Sequence, residues 1–164
     1  MENPGNMTAT SNKIEKQLVI FDLAGESYGV DIANVREIIQ MQTITRMPAS
    51  VSFIEGIINL RGIVIPVVDL RKRFGLPGAD HDKETRIMVV HRQGQDIGMI
   101  VDSVTEVLRT TADLIESISS LVTTVDSKLL VGIVKLMDKL VLLLDTDLVL
   151  SHEEINQREG CLVR

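Results

Sequence analysis

The chain has 164 residues, 45% of them hydrophobic, with 23 acidic residues against 17 basic ones and a net charge of −6. This is the length of one domain, or of two small subdomains sharing a core, with enough apolar material to exclude wholesale disorder. The acidic balance argues against phosphate backbones and anionic lipid, and three Phe, one Tyr and no Trp leave little for base stacking.

Residues 1–16 are polar and read as a flexible leader, without the apolar stretch of a signal peptide. Residues 17–23, carrying Leu18, Val19, Ile20 and Phe21, predict a strand that turns at Ala24-Gly25-Glu26 and returns over 27–32. The spacing of Ile32, Val35, Ile38 and Ile39 then predicts a short helix with Asp31 as its cap. Residues 56–60 and 63–68 predict a hairpin turning at Arg61-Gly62, and Pro66 marks an edge or a bulge because it cannot donate to a ladder. Asp69 is placed to cap a short helix over 70–74 that stops at Gly75, and a polar connector fills 76–84.

From residue 86 the same order returns. Gly25 to Ile39 aligns without a gap on Gly94 to Leu108, so that Gly29 meets Gly98, Val35 meets Val104 and Glu37 meets Glu106. Gly56-Ile57-Ile58-Asn59-Leu60 aligns on Gly132-Ile133-Val134-Lys135-Leu136, and Asp69 on Asp145. Strands are expected over 86–91, 97–101, 132–136 and 140–144. The apolar spacing after Val101 admits either a helical turn or a strand, because β-branched residues dominate there. Ser151-His152-Glu153-Glu154 fits a capping box and predicts a terminal helix from about residue 152. About five short strands per copy, with no long crossover helix, predict an all-β fold of two small barrels side by side.

The chain carries little catalytic vocabulary. His81, His91 and His152 are scattered without metal-ligand spacing, and Asp80-His81-Asp82-Lys83-Glu84 lacks the glycine and glutamate of a calcium loop. No nucleophile elbow or phosphate loop is present, and Cys161 is alone, which fits a reducing compartment. Arg71-Lys72-Arg73 lacks aromatic interleaving and reads as a solvated helix face. Arg61 differs, because a hairpin tip can present its planar fork to a partner carboxylate; a plain solubilising turn residue fits equally well. Val35 reads most simply as core and Glu37 as solvated, although together they would make an apolar floor with a charged rim.

The words Tyr28-Gly29-Val30-Asp31-Ile32, Val35-Arg36-Glu37-Ile38, Glu55-Gly56-Ile57-Ile58-Asn59-Leu60-Arg61-Gly62 and Ile65-Pro66-Val67-Val68-Asp69-Leu70 resemble the CheW family of bacterial chemotaxis coupling proteins. The similarity runs from about residue 17 to about residue 154. It implies two SH3-like five-stranded β-barrel subdomains packed together, one over about 17–76 with parts of the second copy and one over about 86–151, with a C-terminal helix and tail over 152–164. It also implies a noncatalytic, cofactor-free cytoplasmic adaptor that joins the tips of methyl-accepting chemoreceptors to the histidine kinase CheA in membrane-associated arrays.

Carried over by motif, Val35, Glu37, Gly56, Asn59, Arg61 and Gly98 would form or shape the receptor site, with Arg61 as its polar anchor. Thr43, Ile44, Arg46 and Ile65 are expected at the kinase contact, and Leu121 at a further one from the second barrel. The second copy departs from the motif, since Lys135-Leu136-Met137-Asp138 stands where the first has Asn59-Leu60-Arg61-Gly62. Two other readings fit the same residues: a CheV-like coupling module without its receiver, and a small barrel ligand-binding protein or enzyme with dispersed site residues. The last predicts a pocket inside a barrel, whereas an adaptor predicts filled barrels and a shallow groove between them.

Overall fold

A computed structural model describes residues 14–47, 53–117 and 129–150. Among the described residues ten strands run in order: β1 (Glu15–Leu23), β2 (Glu26–Asp31), β3 (Val35–Gln40), β4 (Ile54–Leu60), β5 (Ile63–Asp69), β6 (Arg86–Arg92), β7 (Gln95–Val101), β8 (Ser103–Thr111), β9 (Leu130–Leu136) and β10 (Lys139–Leu144). Four-residue helices follow β5 (Leu70–Arg73) and β10 (Thr146–Val149). Residues 14–16, expected in the leader, belong instead to the start of the fold: Glu15 and Lys16 open β1 opposite Thr111 and Thr110 of β8. The expected terminal helix and Leu121 lie outside the described residues.

The strands form two five-stranded sheets, ordered β8-β1-β2-β10-β9 and β3-β6-β7-β5-β4. Each sheet cuts across the sequence duplication. The first hairpin of each copy (β1–β2, β6–β7) sits in one sheet with the last three strands of the other copy. A division at 76–86 therefore separates the copies in sequence, while each sheet draws strands from both.

The helix expected after the first hairpin is a strand. Asp31 does cap, accepting from the Ala33 N–H at 2.9 Å, but the helical piece is only the 3-10 turn Ile32–Asn34. The chain then extends as β3, pairing with β6 from Val35↔Val90 to Gln40↔Arg86. The helix-like spacing arises from a one-turn segment abutting a strand that is bulged between Val35 and Glu37. In the second copy the strand reading holds, as β8.

Pro66 is not on an edge strand, since β5 lies between β4 and β7. Its partner Ile57 gives both backbone groups to Thr45 (2.8 and 2.9 Å), and pairing to β7 begins only at Val67. Neither neighbour asks Pro66 for a donor there.

Alternation along the central strands fills three cores. Val19, Phe21 and Leu23 of β1 and Met88 and Val90 of β6 face a shared core between the sheets. Leu18 and Ile20 instead join Val134, Val141 and Leu143 within one sheet, while Ile87 and Val89 join Ile58, Ile65, Val67 and Ile100 within the other. Burial on both faces explains why Leu18-Val19-Ile20-Phe21 and Ile87-Met88-Val89-Val90 are unbroken apolar runs rather than alternating ones. Phe21, Tyr28, Phe53 and Phe74, the whole aromatic content, belong to or pack against the shared core. Tyr28 lies 6.0 Å from Phe21 and 5.6 Å from Phe74 between ring centroids, and burial pushes its hydroxyl pKa up.

The segment after each third strand turns back onto the fourth. Thr45 bridges Ile57 and, in the second copy, Glu116 bridges Ile133 at 2.8 Å in both directions. Both bridges pass over a glycine. A Cβ at Gly56 would lie 2.1 Å from the Thr45 carbonyl oxygen, and one at Gly132 would lie 2.9 Å from that of Glu116.

Candidate functional site

The β4–β5 turn holds Arg61 at φ 52° and Gly62 at φ 87°, the left-handed pair that a two-residue hairpin needs. Asn59 stabilises it by accepting the Gly62 N–H at 2.8 Å on Oδ1. Strained as it is for a β-substituted residue, the tip throws the Arg61 side chain toward β3, where its guanidinium donates to the Glu37 carboxylate. This hydrogen bond, and next the charge of Glu37, raise the Arg61 pKa further, so the guanidinium is cationic at every physiological pH. Three expected site residues thus meet at one corner, where the Arg61 side chain is 68% exposed and bonded to Glu37 through one nitrogen of its fork.

The other three sit behind this corner. Val35, half-buried, packs against the shared core at the base of β3. Gly56 is buried beneath Thr45, where its φ of 155° and missing side chain hold the returning segment against β4. Gly98 is buried opposite Val67 and Val89, and a Cβ there would come within 2.8 Å of Ile87 Cγ2. Both glycines shape the sheet from inside and line no surface.

The expected kinase-contact residues divide. Thr43 and Arg46 are exposed, and Ile44 packs its half-buried side chain on the core of the β3–β7 sheet. Ile65 is 2% exposed within that core and cannot meet a partner. Its neighbours Ile63 and Val64 are 59% and 61% exposed and take the surface place that the sequence reading gave to Ile65. The run Ile63-Val64-Ile65 carried the signal: alternation obliges a strand with an apolar run at its end to face some of that run outward. Ile63, Val64 and Ile65 line a cleft of about 330 Å³ with Arg36, His91, Gln95 and Asp96, closed at the rim by Arg36 Nε (3.2 Å) and His91 Nδ1 (2.6 Å) on Asp96 Oδ1.

The basic triplet is not a solvated face. Arg71 grips Asp102 with Nε at 2.9 Å and Nη2 at 2.5 Å, and donates to the Pro77 carbonyl at 2.7 Å. Asp102 also accepts from the Ala24 N–H at 2.9 Å, and its own N–H reaches the Asp22 carbonyl at 3.0 Å. One carboxylate therefore ties the helix after β5 to the β1–β2 turn of the other sheet. Desolvation pushes the Asp102 pKa up, but the Arg71 hydrogen bonds, the Ala24 N–H and the Arg71 charge together outweigh it and hold the group below the usual aspartate range. Lys72 reaches Glu55, and Arg73 donates to the Val149 carbonyl at 2.9 Å while covering the Phe53 ring at 5.1 Å. Sequence reasoning missed these roles because the partners Asp102, Glu55 and Val149 are remote in the chain.

Among the described residues no three His, Cys, Asp or Glu side chains gather to hold a metal ion, and no helix is long and apolar enough to cross a membrane.

Residues 17–154 match the family model of the CheW-like domain. The chain is 35% identical over 147 residues to the chemotaxis protein CheW of Bacillus subtilis, covering 90% of this chain and 94% of that one. It is 34% identical over 142 residues to the CheW of Klebsiella aerogenes, covering 87% and 86%. The crystal structure of the scaffolding protein TtCheW from Thermoanaerobacter tengcongensis superposes with a TM-score of 0.78 at 41% identity, covering 86% of this chain and 91% of that one. Two mostly-β sheets, the Asn59–Arg61 corner and these similarities together place the chain in the CheW family of chemotaxis coupling proteins.

Proposed function

We propose that this protein is a noncatalytic cytoplasmic adaptor that joins chemoreceptor tips to the CheA kinase within receptor arrays. The observation that carries the reading is the exposed surface of one sheet: the Arg61–Glu37–Asn59 corner, Ile63 and Val64 opposite Leu60 and Asn59 in the same hairpin, and the Thr43–Arg46 segment farther along β4. A receptor helix tip is met by the polar corner, where Arg61 exchanges or shares its contact with Glu37. The kinase is met by the apolar and basic segment beside it. We further take each sheet to curl into a closed barrel, the Thr45↔Ile57 and Glu116↔Ile133 bridges joining its two edge strands. Apolar side chains occupy the inner face of each sheet, which favours an adaptor over a protein with a ligand pocket inside a barrel.

The test is co-sedimentation of the full chain with receptor signalling tips and with kinase, wild type beside Arg61→Ala. The adaptor reading expects wild type in both pellets and the variant lost from the receptor pellet alone. A wild-type chain that joins neither pellet sinks the reading. A variant that still pellets with receptor removes Arg61 from the site while leaving the fold untouched.

A further inference from the structure

Glu55, the partner of Lys72, is one of the few buried charged residues among those described. Its side chain is 7% exposed, yet it stands beside Arg46, whose side chain is 78% exposed. Arg46 Nη1 lies 3.2 Å from Glu55 Oε2, and Lys72 Nζ lies 2.5 Å from Oε1 as an ion pair outside hydrogen-bond geometry. One buried negative charge is thus shared by two cations from different elements: the segment after β3 and the helix after β5. The three side chains line one cleft of about 300 Å³ with Asp69 and His81.

A buried carboxylate is tolerated only with partners, and removing one leaves a charge uncompensated. Arg46 follows Thr45, whose backbone is bonded to Ile57, so the carboxylate fixes the side chain on a backbone that is fixed already. A guanidinium has five donors in a rigid fork, and binding one edge orients the rest. Lys72, 45% exposed at its side chain, balances the charge that Arg46 leaves over.

We infer that Glu55 is a positioning residue for Arg46, with Lys72 as its second counter-ion, so that Arg46 presents its free donors in one orientation to a carboxylate of the kinase. The inference rests on the reading that the Thr43–Arg46 segment meets the kinase. Preorganisation of this kind tightens binding by removing the ordering cost of a long side chain.

The experiment measures kinase affinity of the full chain by titration for wild type, Arg46→Ala, Glu55→Gln, Lys72→Met and the Arg46→Ala/Glu55→Gln pair. Receptor-tip binding and urea melts are run alongside. Arg46→Ala and Glu55→Gln should each weaken kinase binding roughly tenfold, the scale of one charge-assisted contact. The double variant should be no weaker than the worse single one, and the salt dependence of kinase binding should flatten in Arg46→Ala, which removes the cation, but persist in Glu55→Gln, which keeps it. Receptor binding should not move, a result that a general loss of structure would not give. If Glu55→Gln melts too early to titrate, Lys72→Met on the cleft rim carries the same expectation in smaller measure. Full affinity in Glu55→Gln and Lys72→Met with Arg46→Ala weakened overturns the positioning role alone. Full affinity in Arg46→Ala overturns the kinase reading of the segment, and the inference with it.

Discussion

Replacing Gly56 by alanine tests how the returning segment is held. The new Cβ would lie 2.1 Å from the Thr45 carbonyl oxygen and 2.9 Å from Ile44 Cγ2, on a backbone at φ 155° that side chains rarely adopt. Neither obstacle is a flexible side-chain tip alone, because the first is main chain. Relief requires the segment to lift from β4, giving up the Thr45–Ile57 pair of hydrogen bonds at 2.8 and 2.9 Å. Two such bonds are worth about 1–3 kcal/mol together, and the unfavourable φ adds about 1–3 kcal/mol if the backbone stays. The expected loss is roughly 3 kcal/mol, a large share of a stability of about 5–15 kcal/mol. Gly62→Ala is the matched reference, since its φ of 87° is equally left-handed but nothing lies within 4 Å. That variant should lose only about 1–2 kcal/mol. Urea melts of both, with a common m-value, read the difference directly. A Gly56→Ala protein no less stable than Gly62→Ala would refute the close-approach argument.

Three further outcomes follow from the geometry. Asp102→Asn should destabilise by about 1–2 kcal/mol at neutral pH, discounted for partial exposure. Because the folded pKa of Asp102 is depressed, its contribution is full above the unfolded value of 3.8 and fades as pH falls through the folded value. The gap between wild type and variant should therefore begin to narrow below about pH 4 and close once the pH is under the depressed folded value, and a gap unchanged throughout that fall would count against the clamp. Val64→Glu should leave the melting midpoint within about 0.5 kcal/mol of wild type and abolish kinase co-sedimentation, whereas Ile65→Ala should cost about 2–5 kcal/mol; the reverse pattern would mean their surface and core places are misassigned. The swapped pair Glu37→Arg/Arg61→Glu should fold as wild type by melting but fail in receptor pull-down; receptor binding retained by the swap would mean that the partner does not read the sign of charge at this corner.

The hairpins were legible because their information is local. Arg61-Gly62 between two apolar runs names its own turn, and Asp31, Asp69 and Asp145 each cap the segment they precede, accepting at 2.9 Å from the residue two positions on. The third strand was not legible, because Ile32, Val35, Ile38 and Ile39 fit a helical period although Ile32 lies in a 3-10 turn and the others in a bulged strand. Nor could Arg71 have been assigned, since Asp102 is 31 residues away and its orientation is set by the sheet opposite. At the corner, Asn59, Glu37 and Arg61 meet through the turn that the local sequence names, while strand register alone decides that Val64 faces out and Ile65 in.

The exchange of hairpins between the two copies also sets a timetable for folding. β1 pairs on one side with β2 and on the other with β8, whose Arg109 meets Gln17 across more than half the chain. During synthesis the first hairpin therefore emerges long before its neighbours β8 and β10 exist, with both outer edges and both apolar faces uncovered. Contacts of this span are slow to close and leave strand edges open to foreign pairing in the meantime. By contrast, β6 and β7 emerge when β3, β4 and β5 are already waiting. The sheet that carries the Arg61 corner is complete once residue 101 is made, while the other must wait for residue 144.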